Sequence, residues 1–344
     1  MTENWKKQLN ADPTDWLLEE SDPGVRYLAL RDIIEADEKE IKAARRKAHT
    51  IGLIDEILSK MNKEGSWVPL KPGPYPMNDG TVRVVVLLAQ LGATQGADER
   101  IASACAYIFD HNFVKDGRFT ETGRSSGNLD CLQGGLCCSL LDLGCTDPRL
   151  DVAFEMMARL VTGEGIAPAT DRSAPIRYYS TNNCGASFAC SGTRRESCAW
   201  GAVNVLIAFA KLPENRRTPL INRAIKIGID FLLSKDPSKA DYPVGFGTKP
   251  GGKPSRKWWK FGFPNFYIPD LIQNVEALTR LGYGRDPRLA NAINFIYGKQ
   301  DSQGRWNMEQ SYEGTIWVDL GANNQPNKWV TLRALRVLKQ AYTR

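Results

Sequence analysis

The stretch from Leu281 to Trp306, LGYGRDPRLANAINFIYGKQDSQGRW, contains one complete structural unit of this chain. Apolar residues precede it at helical spacing, and Gly282 stands where that helix is expected to end. Asp286 and Pro287 are then a typical N-cap and first-turn pair for a second helix. The stretch closes on a glycine turn at Gly304 that leads into a tryptophan. It therefore predicts a helical hairpin followed by a tight turn.

The same unit recurs along the chain. Leu143-Gly144 precedes Asp147-Pro148-Arg149-Leu150, and a looser copy runs from Leu91-Gly92 to Asp98. The clearest neighbours recur at roughly fifty residues, a spacing typical of repeat architectures. Because a lone hairpin cannot bury its apolar face, the pairs are expected to stack into an open solenoid or a closed ring. The turns that follow the hairpins are Gly65-Ser66-Trp67, Asp116-Gly117-Arg118-Phe119, Gly245-Phe246 and Gln303-Gly304-Arg305-Trp306.

The phrase Lys299-Gln300-Asp301-Ser302-Gln303-Gly304-Arg305-Trp306 resembles the Gln-x-x-x-Gly-x-Trp repeat of squalene and oxidosqualene cyclases. The hairpins are similar to the inner and outer helices of the terpenoid cyclase and protein prenyltransferase superfamily. The resemblance implies an all-α fold, an α/α toroid whose inner helices begin around a central cavity. It places the toroid at residues 63–344, with residues 1–62 as an N-terminal helical extension packed on it.

Composition narrows the function classes. The 344 residues are 42% hydrophobic and 24% charged, which is typical of a folded domain with a sizeable core. The 45 basic and 39 acidic residues are interspersed, so no nucleic-acid partner is expected. No leader-type or transmembrane segment is recognisable, which predicts a cytoplasmic protein. The eight cysteines would then stay reduced, and clusters of them indicate metal binding or catalysis before disulfides.

Two acidic motifs of terpene cyclases, Asp-x-Asp-Asp and Asp-Asp-x-x-Asp, do not occur in this sequence. An ordinary terpene cyclase is therefore disfavoured. Glu196-Ser197-Cys198, at a helix start, resembles the Asp-x-Cys zinc motif of protein prenyltransferases, but the distant histidine ligand of that family has no clear counterpart. The two histidines, His49 and His111, are expected at the surface or as caps.

Cysteine is the alternative ligand. Asp130-Cys131 begins another predicted inner helix, so Cys131 would face the same mouth as Cys198, while Cys184 and Cys190 lie in the loop leading to Cys198. Four thiols suit zinc or an iron–sulfur cluster. A helix N-terminus also favours a reactive thiolate. The spacings match no zinc knuckle or ferredoxin pattern, so packing of all four as small apolar residues is the alternative, and then no cofactor is expected.

Two further segments suggest a binding site. The loop 166–195 has little helical periodicity, and Arg177, Tyr178 and Tyr179 in it would suit a phosphate or carboxylate; an exposed loop without function is the alternative. The aromatic run at 258–267 predicts a cavity wall. The aromatic residues proposed for that wall are Trp258, Trp259, Phe263 and Trp306.

The combined prediction is an enzyme that processes an apolar or isoprenoid-like small molecule in the cavity with a cysteine-ligated metal or a reactive cysteine. Cys198, Glu196, Asp270 and Asp130 are the catalytic candidates, and Asp270 is alternatively an ordinary helix cap. A non-catalytic toroid that binds a lipid, peptide or protein is the second hypothesis. A carbohydrate-active α/α toroid, hydrolase or lyase, is the third.

Overall fold

A computed structural model describes residues 4–69, 80–121, 123–124, 128–240, 242, 256–312 and 314–343. The prediction of a helical fold is confirmed in these ranges, while the predicted turn Gly245-Phe246 lies outside them. The helices are α1 (Thr14–Leu17), α2 (Pro23–Ala29), α3 (Glu38–Thr50), α4 (Leu53–Leu58), α5 (Gly80–Gln90), α6 (Glu99–His111), α7 (Asp130–Asp142), α8 (Arg149–Thr162), α9 (Ala199–Lys211), α10 (Pro219–Leu232), α11 (Leu271–Leu278), α12 (Ala290–Tyr297) and α13 (Lys328–Thr343). A small antiparallel sheet pairs β1 (Asn183–Gly185) with β2 (Ala189–Cys190).

From α5 to α13, largely buried helices alternate with helices that expose one face to solvent; we call the first kind inner and the second kind outer. The inner helices contact one another in chain order, α5 with α7, α7 with α9, α9 with α11 and α11 with α13. Each of α6, α8, α10 and α12 packs outside the inner helix that precedes it. Composition explains the assignment, because the first ten residues of α5 are all buried, whereas α10 has an apolar face and an exposed one.

The predicted hairpin caps are confirmed. Gly92, Gly144 and Gly282 have φ of 84°, 78° and 92°, the left-handed conformation that ends a helix and favours glycine. Asp98 and Asp286 each accept a hydrogen bond from the backbone N–H two residues on, at 3.0 and 2.9 Å. The side chain of the arginine two residues after each aspartate, Arg100 or Arg288, also donates a hydrogen bond to the same carboxylate. Each copy therefore contains an Asp-x-Arg ion pair at the start of its second helix.

The glycine turns are built alike. Gly65, Gly117 and Gly304 all have positive φ, and a Cβ on any of them would strike a backbone carbonyl oxygen of the element beside it. For Gly65 and Gly117 the element is the next outer helix, α6 or α8, with approaches of 2.7 Å; for Gly304 it is the N-terminal segment, at Ala11. Substitution would force backbones apart, so glycine is required at each turn.

The first residues of the chain pack against the last hairpin. The Tyr297 hydroxyl donates to the Trp5 carbonyl oxygen at 2.7 Å, and Lys60 Nζ donates to the Trp317 carbonyl oxygen at 2.7 Å. Across the predicted boundary at residues 62 and 63, the Trp67 indole donates to the Ile57 carbonyl oxygen at 2.9 Å. The N-terminal segment therefore contacts both the C-terminal part of the chain and the segment that directly follows it at Trp67.

In the ranges that the structure covers, no helix is both long enough and apolar enough to cross a bilayer.

Candidate functional site: a thiol–carboxylate cluster and a charged cavity

Five predicted residues come together where α7 and α9 begin. We call this set the thiol–carboxylate cluster: Asp130, Cys131, Cys184, Cys190 and Cys198. The thiols of Cys190 and Cys198 are hydrogen-bonded, and Cys190 is close enough to the other three residues to raise their pKa values electrostatically.

Two close-packed glycines determine how the helices that carry the cluster meet. A Cβ on Gly134 of α7 would lie 2.5 Å from the Asn204 carbonyl carbon and oxygen of α9, and one on Gly201 would lie 3.0 Å from the Asp130 Cβ. The helix axes can approach this closely only because both residues lack a side chain. The first turns of α7 and α9 are therefore in direct contact, with Asp130 between the two helices.

Asp130 is a buried carboxyl whose neighbours are neutral. Its Oδ1 accepts a hydrogen bond of 2.7 Å from Asn183 Nδ2, and its residue is 7% exposed. No cationic side chain pairs with it among the described residues. Burial, with a smaller contribution from Cys190, raises the pKa of Asp130 to about 8. The carboxyl therefore holds its proton at neutral pH.

Three of the cluster thiols, those of Cys131, Cys184 and Cys190, are also neutral at pH 7. Burial raises the pKa values of Cys131 and Cys184, and the hydrogen bond with Cys198, followed by burial, raises that of Cys190. Backbone N–H groups of Gly192 and Thr193 point at the Cys190 sulfur and partly oppose this. Among the described residues, no three or more histidine, cysteine or acidic side chains are placed to hold a metal ion.

The loop that completes the cluster has a strained backbone. Ser187, Phe188, Arg194 and Arg195 have φ of 53°, 66°, 57° and 70°, in the left-handed region that L-residues avoid. Such strain costs about 1–3 kcal/mol per residue and persists where the surroundings enforce it, often at functional sites. The strain is concentrated on both sides of Cys190.

Other predicted catalytic residues lie elsewhere. Glu196 is partly exposed, and no contact of its carboxylate with the cluster is found in the described part of the chain. Asp270 is 3% exposed; its Oδ1 caps α11 by accepting from Gln273 N at 3.0 Å. Both of its oxygens also accept from Arg333, at 2.8 Å each. Asp270 is thus held in a buried ion pair.

The predicted aromatic wall is mostly core. Trp258 and Trp306 are fully buried, and their indole N–H groups donate to the carbonyl oxygens of Pro237 and Ile296. Trp259 is partly buried, and its indole donates to the Ser238 carbonyl oxygen. These three side chains are absent from the described cavity wall, whereas Phe263 lies on it, stacked on Trp329 at 4.7 Å. Burial of large aromatic rings in the hairpins accounts for the difference.

The loop residues contact one another rather than the cavity. Tyr178 is buried, and its hydroxyl donates to the Leu160 carbonyl oxygen at 2.9 Å. The guanidinium groups of Arg177 and Arg118 lie 4.8 and 5.2 Å from the centre of the Tyr179 ring. Arg177 also donates to the Ala169 carbonyl oxygen. These contacts order the loop.

His49 differs from the surface or capping position expected for it, since it is 3% exposed. Its Nδ1 contacts the Arg45 carbonyl oxygen at 2.8 Å, and its Nε2 accepts from the Thr94 backbone N–H at 3.1 Å. Burial lowers the pKa of this imidazole. It is a neutral structural histidine that links α3 to the end of α5.

A cavity of about 540 Å³ lies between the inner helices. Its wall reaches from Gly135 and Asn204, in the middle of α7 and α9, to Asp142 and Lys211 at their ends. Charged and amide side chains dominate this wall, in contrast to the predicted apolar one. The charged side chains, which we call the charged belt, are Arg31, Asp32, Asp142, Lys211, Glu276, Arg280, Arg333 and Arg336.

The sequence reasoning missed Asn183 and the belt. Asn183 lies next to a predicted ligand, Cys184, in a polar loop, and nothing local marks it as the partner of Asp130. Glu276 and Arg280 did give a signal, because they interrupt the apolar helical pattern around Val275 and Leu278. A charge inside such a pattern indicates a buried ion pair or a cavity.

No family model matches this chain, and no curated protein matches it. Solved structures are similar over most of its length. One is the type II terpene cyclase MstE from Scytonema, with 13% identity, a TM-score of 0.33, and 87% of this chain and 97% of that chain covered. Another is a protein from Actinoplanes, with 12% identity, a TM-score of 0.33, and 88% and 100% covered. A variant of MstE in complex with geranylgeranyl dihydroxybenzoate shows 13% identity, a TM-score of 0.34, and 87% and 97% covered.

Proposed function

We propose that this protein is an enzyme with a closed α/α toroid fold, whose thiol–carboxylate cluster is an acid–base centre for an uncharged, apolar or isoprenoid-like small molecule. The observation that supports the centre is the burial of Asp130, without a cationic partner in the described ranges, beside four thiols. Burying an unpaired acid stabilises its neutral form. The raised pKa of Asp130 agrees with that geometry.

Asp130 would be the proton donor. Transfer of its proton to a carbon–carbon double bond of the substrate leaves an aspartate carboxylate and a carbocation. Loss of a proton from a neighbouring carbon to that carboxylate restores both the acid and a neutral product. These two proton transfers together are redox-neutral and need no co-reactant. Asn183, which donates to Oδ1 at 2.7 Å, would orient the carboxyl and stabilise its anion.

Cys131, Cys184 and Cys190 are partly exposed and would line the approach to Asp130. An apolar substrate suits this approach, because neutral thiols behave as small hydrophobic groups and offer no charge to a polar ligand. Cys198 is buried behind them and would hold Cys190 in position. The strained loop around Cys190 fixes the set.

The closed ring is supported by the glycine turns. Gly65 and Gly117 pack against the outer element of the following repeat, and Gly304 packs in the same way against Ala11. The N-terminal segment would thus occupy the place of the outer element after the last hairpin. Helix α2 also contacts α13, and a Cβ on Gly92 at the end of α5 would touch Leu28 of α2. Together these contacts would close the ring.

Zinc or an iron–sulfur cluster on Cys131, Cys184, Cys190 and Cys198 stays a prediction, and no step above runs through a metal. Elemental analysis of anaerobically purified protein, repeated on Cys131→Ser and Cys198→Ser, tests it. One metal per chain that is lost in both variants would establish the thiolate site. Equal metal content in wild type and variants would contradict it.

The acid–base proposal is tested by incubating purified protein with a panel of prenyl alcohols and prenylated phenols, followed by mass spectrometry and product isolation. Wild type is expected to give isomers of unchanged mass, and Asp130→Asn to lose at least a hundredfold in rate. Asp286→Asn is the matched control, because it alters an outer helix cap far from the cluster. An active Asp130→Asn variant, or no product from any member of the panel, would refute the proposal.

A further inference from the structure

The cavity extends from the middle of α7 and α9, at Gly135 and Asn204, to the ends of these helices that lie away from the thiol–carboxylate cluster. Asp142 and Lys211 are the last residues of these helices, and a helix of thirteen residues places its ends about 18 Å apart. A volume of about 540 Å³ is within the range of small-molecule sites. No residue of the thiol–carboxylate cluster lines the described cavity wall, so the cavity is a site apart from the proposed acid–base centre.

Cationic side chains outnumber acidic ones around this cavity, five to three. Lys211 pairs with Asp142 at 2.5 Å, and Arg280 pairs with Glu276 at 2.9 Å. Arg333 pairs with Asp270, which lies behind the wall. The remaining positive charge falls on Arg31 and Arg336, which both contact Asp32.

There, two guanidinium groups share one carboxylate. Arg31 binds both oxygens of Asp32, at 2.6 and 3.0 Å, and Arg336 contacts the same carboxylate from α13. The Nε of Arg336 is buried and has no hydrogen-bond partner among the described residues. A buried donor without a hydrogen-bond partner is unfavourable, so a ligand oxygen at this point would be stabilised by it.

The neighbouring carboxylates Asp32 and Glu276 stay ionised, so each cancels one positive charge of the belt and no more. Burial opposes ionisation of Asp32, but Arg336 and Arg31 outweigh it and lower its pKa to about 2. Burial also opposes ionisation of Glu276, and Arg280 and Lys211 lower its pKa. Burial lowers the pKa of Arg336 itself, which agrees with incomplete compensation of its charge.

Irregular helix turns build this part of the wall. Arg31 and Asp32 lie in the π-helical turn Leu30–Ile34 that continues α2, and Arg280 lies in the π-helical turn Thr279–Tyr283 that continues α11. Such turns are rare and are frequent at functional sites, because they re-aim side chains at a local cost in hydrogen bonding. Both of these turns present belt residues to the same cavity.

We propose that the cavity is a binding site for a small hydrophilic oxyanion, with a carboxylate or phosphate group held by Arg336 and amide groups of the wall. Arg336 contributes the unused donor and the surplus charge. Gln273 and Asn265, on the same wall, supply neutral donors and acceptors for the rest of the ligand. Charge-assisted hydrogen bonds to a guanidinium are the strongest such contacts in proteins.

The test is isothermal titration calorimetry with inorganic phosphate and with succinate, at ionic strength held constant with chloride. Wild type is expected to bind at least one of the two saturably with one site per chain, and Arg336→Met to bind at least tenfold more weakly. Arg288→Met is the matched control, because it removes an exposed arginine of an outer helix cap. Its affinity should equal that of wild type.

Binding of phosphate alone or succinate alone would identify the oxyanion, and either supports the site. Absence of saturable binding by both, or equal affinity of Arg336→Met and wild type, would overturn it. If Arg336→Met does not fold, Arg336→Lys, which keeps the positive charge but removes the Nε donor, replaces it with the same expected direction. Asp130→Asn should bind the oxyanion like wild type, so failure of this site and failure of the proposed acid–base centre are distinguishable.

Discussion

The buried ion pair between Asp270 and Arg333 provides the sharpest stability prediction. The two side chains are 4% and 9% exposed and share two hydrogen bonds of 2.8 Å. Removing one member of such a pair leaves an uncompensated buried charge and costs about 3–5 kcal/mol. Arg333→Met should therefore lower the free energy of unfolding by about 3 kcal/mol, the lower value because the Gln273 N–H still binds Asp270.

The assay is equilibrium urea denaturation followed by circular dichroism, for wild type, Arg333→Met, Asp270→Asn and the double variant. Each single change should be strongly destabilising, and the double variant should be less destabilised than their sum by about 2–3 kcal/mol. A cost below about 1 kcal/mol for Arg333→Met would refute the reasoning. The Asp270 carboxylate would then be free for the acid–base role that the sequence suggested.

Three further predictions concern the cluster and the core. Gly134→Ala should lower the free energy of unfolding by about 2–3 kcal/mol in the same urea assay, because its Cβ would meet the Asn204 backbone at 2.5 Å. Gly96→Ala, with open space around it, should leave that free energy unchanged. Trp306→Phe should cost about 2 kcal/mol by urea denaturation, since a buried indole hydrogen bond is lost; a change below about 0.5 kcal/mol would favour a cavity-wall role. Folded Asp130 keeps its proton to about pH 8, while the unfolded residue loses it near 3.8. Raising the pH through this window therefore favours unfolding of wild type. The free energy of unfolding of wild type minus that of Asp130→Asn should fall by about 1.4 kcal/mol per pH unit. A difference that does not change with pH would contradict the raised pKa.

The features that sequence could predict are local ones. Gly282 ends its helix and Asp286 caps the next because backbone geometry and short-range hydrogen bonds fix their roles within a few residues. The helix starts at Asp130 and Cys198 were equally visible from their local sequence. These residues needed no knowledge of distant partners.

The features that sequence could not predict depend on long-range pairing. Asp32 meets Arg336 across 304 positions of the chain, and no local pattern selects that partner. The run that includes Trp258 was compatible with both core and cavity wall, because periodicity does not say which side of a helix layer faces a void. Tertiary packing decided it in favour of the core.

The central claim is that Asp130 is a neutral acid among thiols, and infrared difference spectroscopy tests it without a substrate. The spectrum of wild type minus Asp130→Asn, recorded at pH 7, should contain the carbonyl stretch of a protonated carboxylic acid, and that band should disappear as the pH is raised past about 8. A carboxylate band at pH 7, with no protonated carbonyl band, would contradict the account.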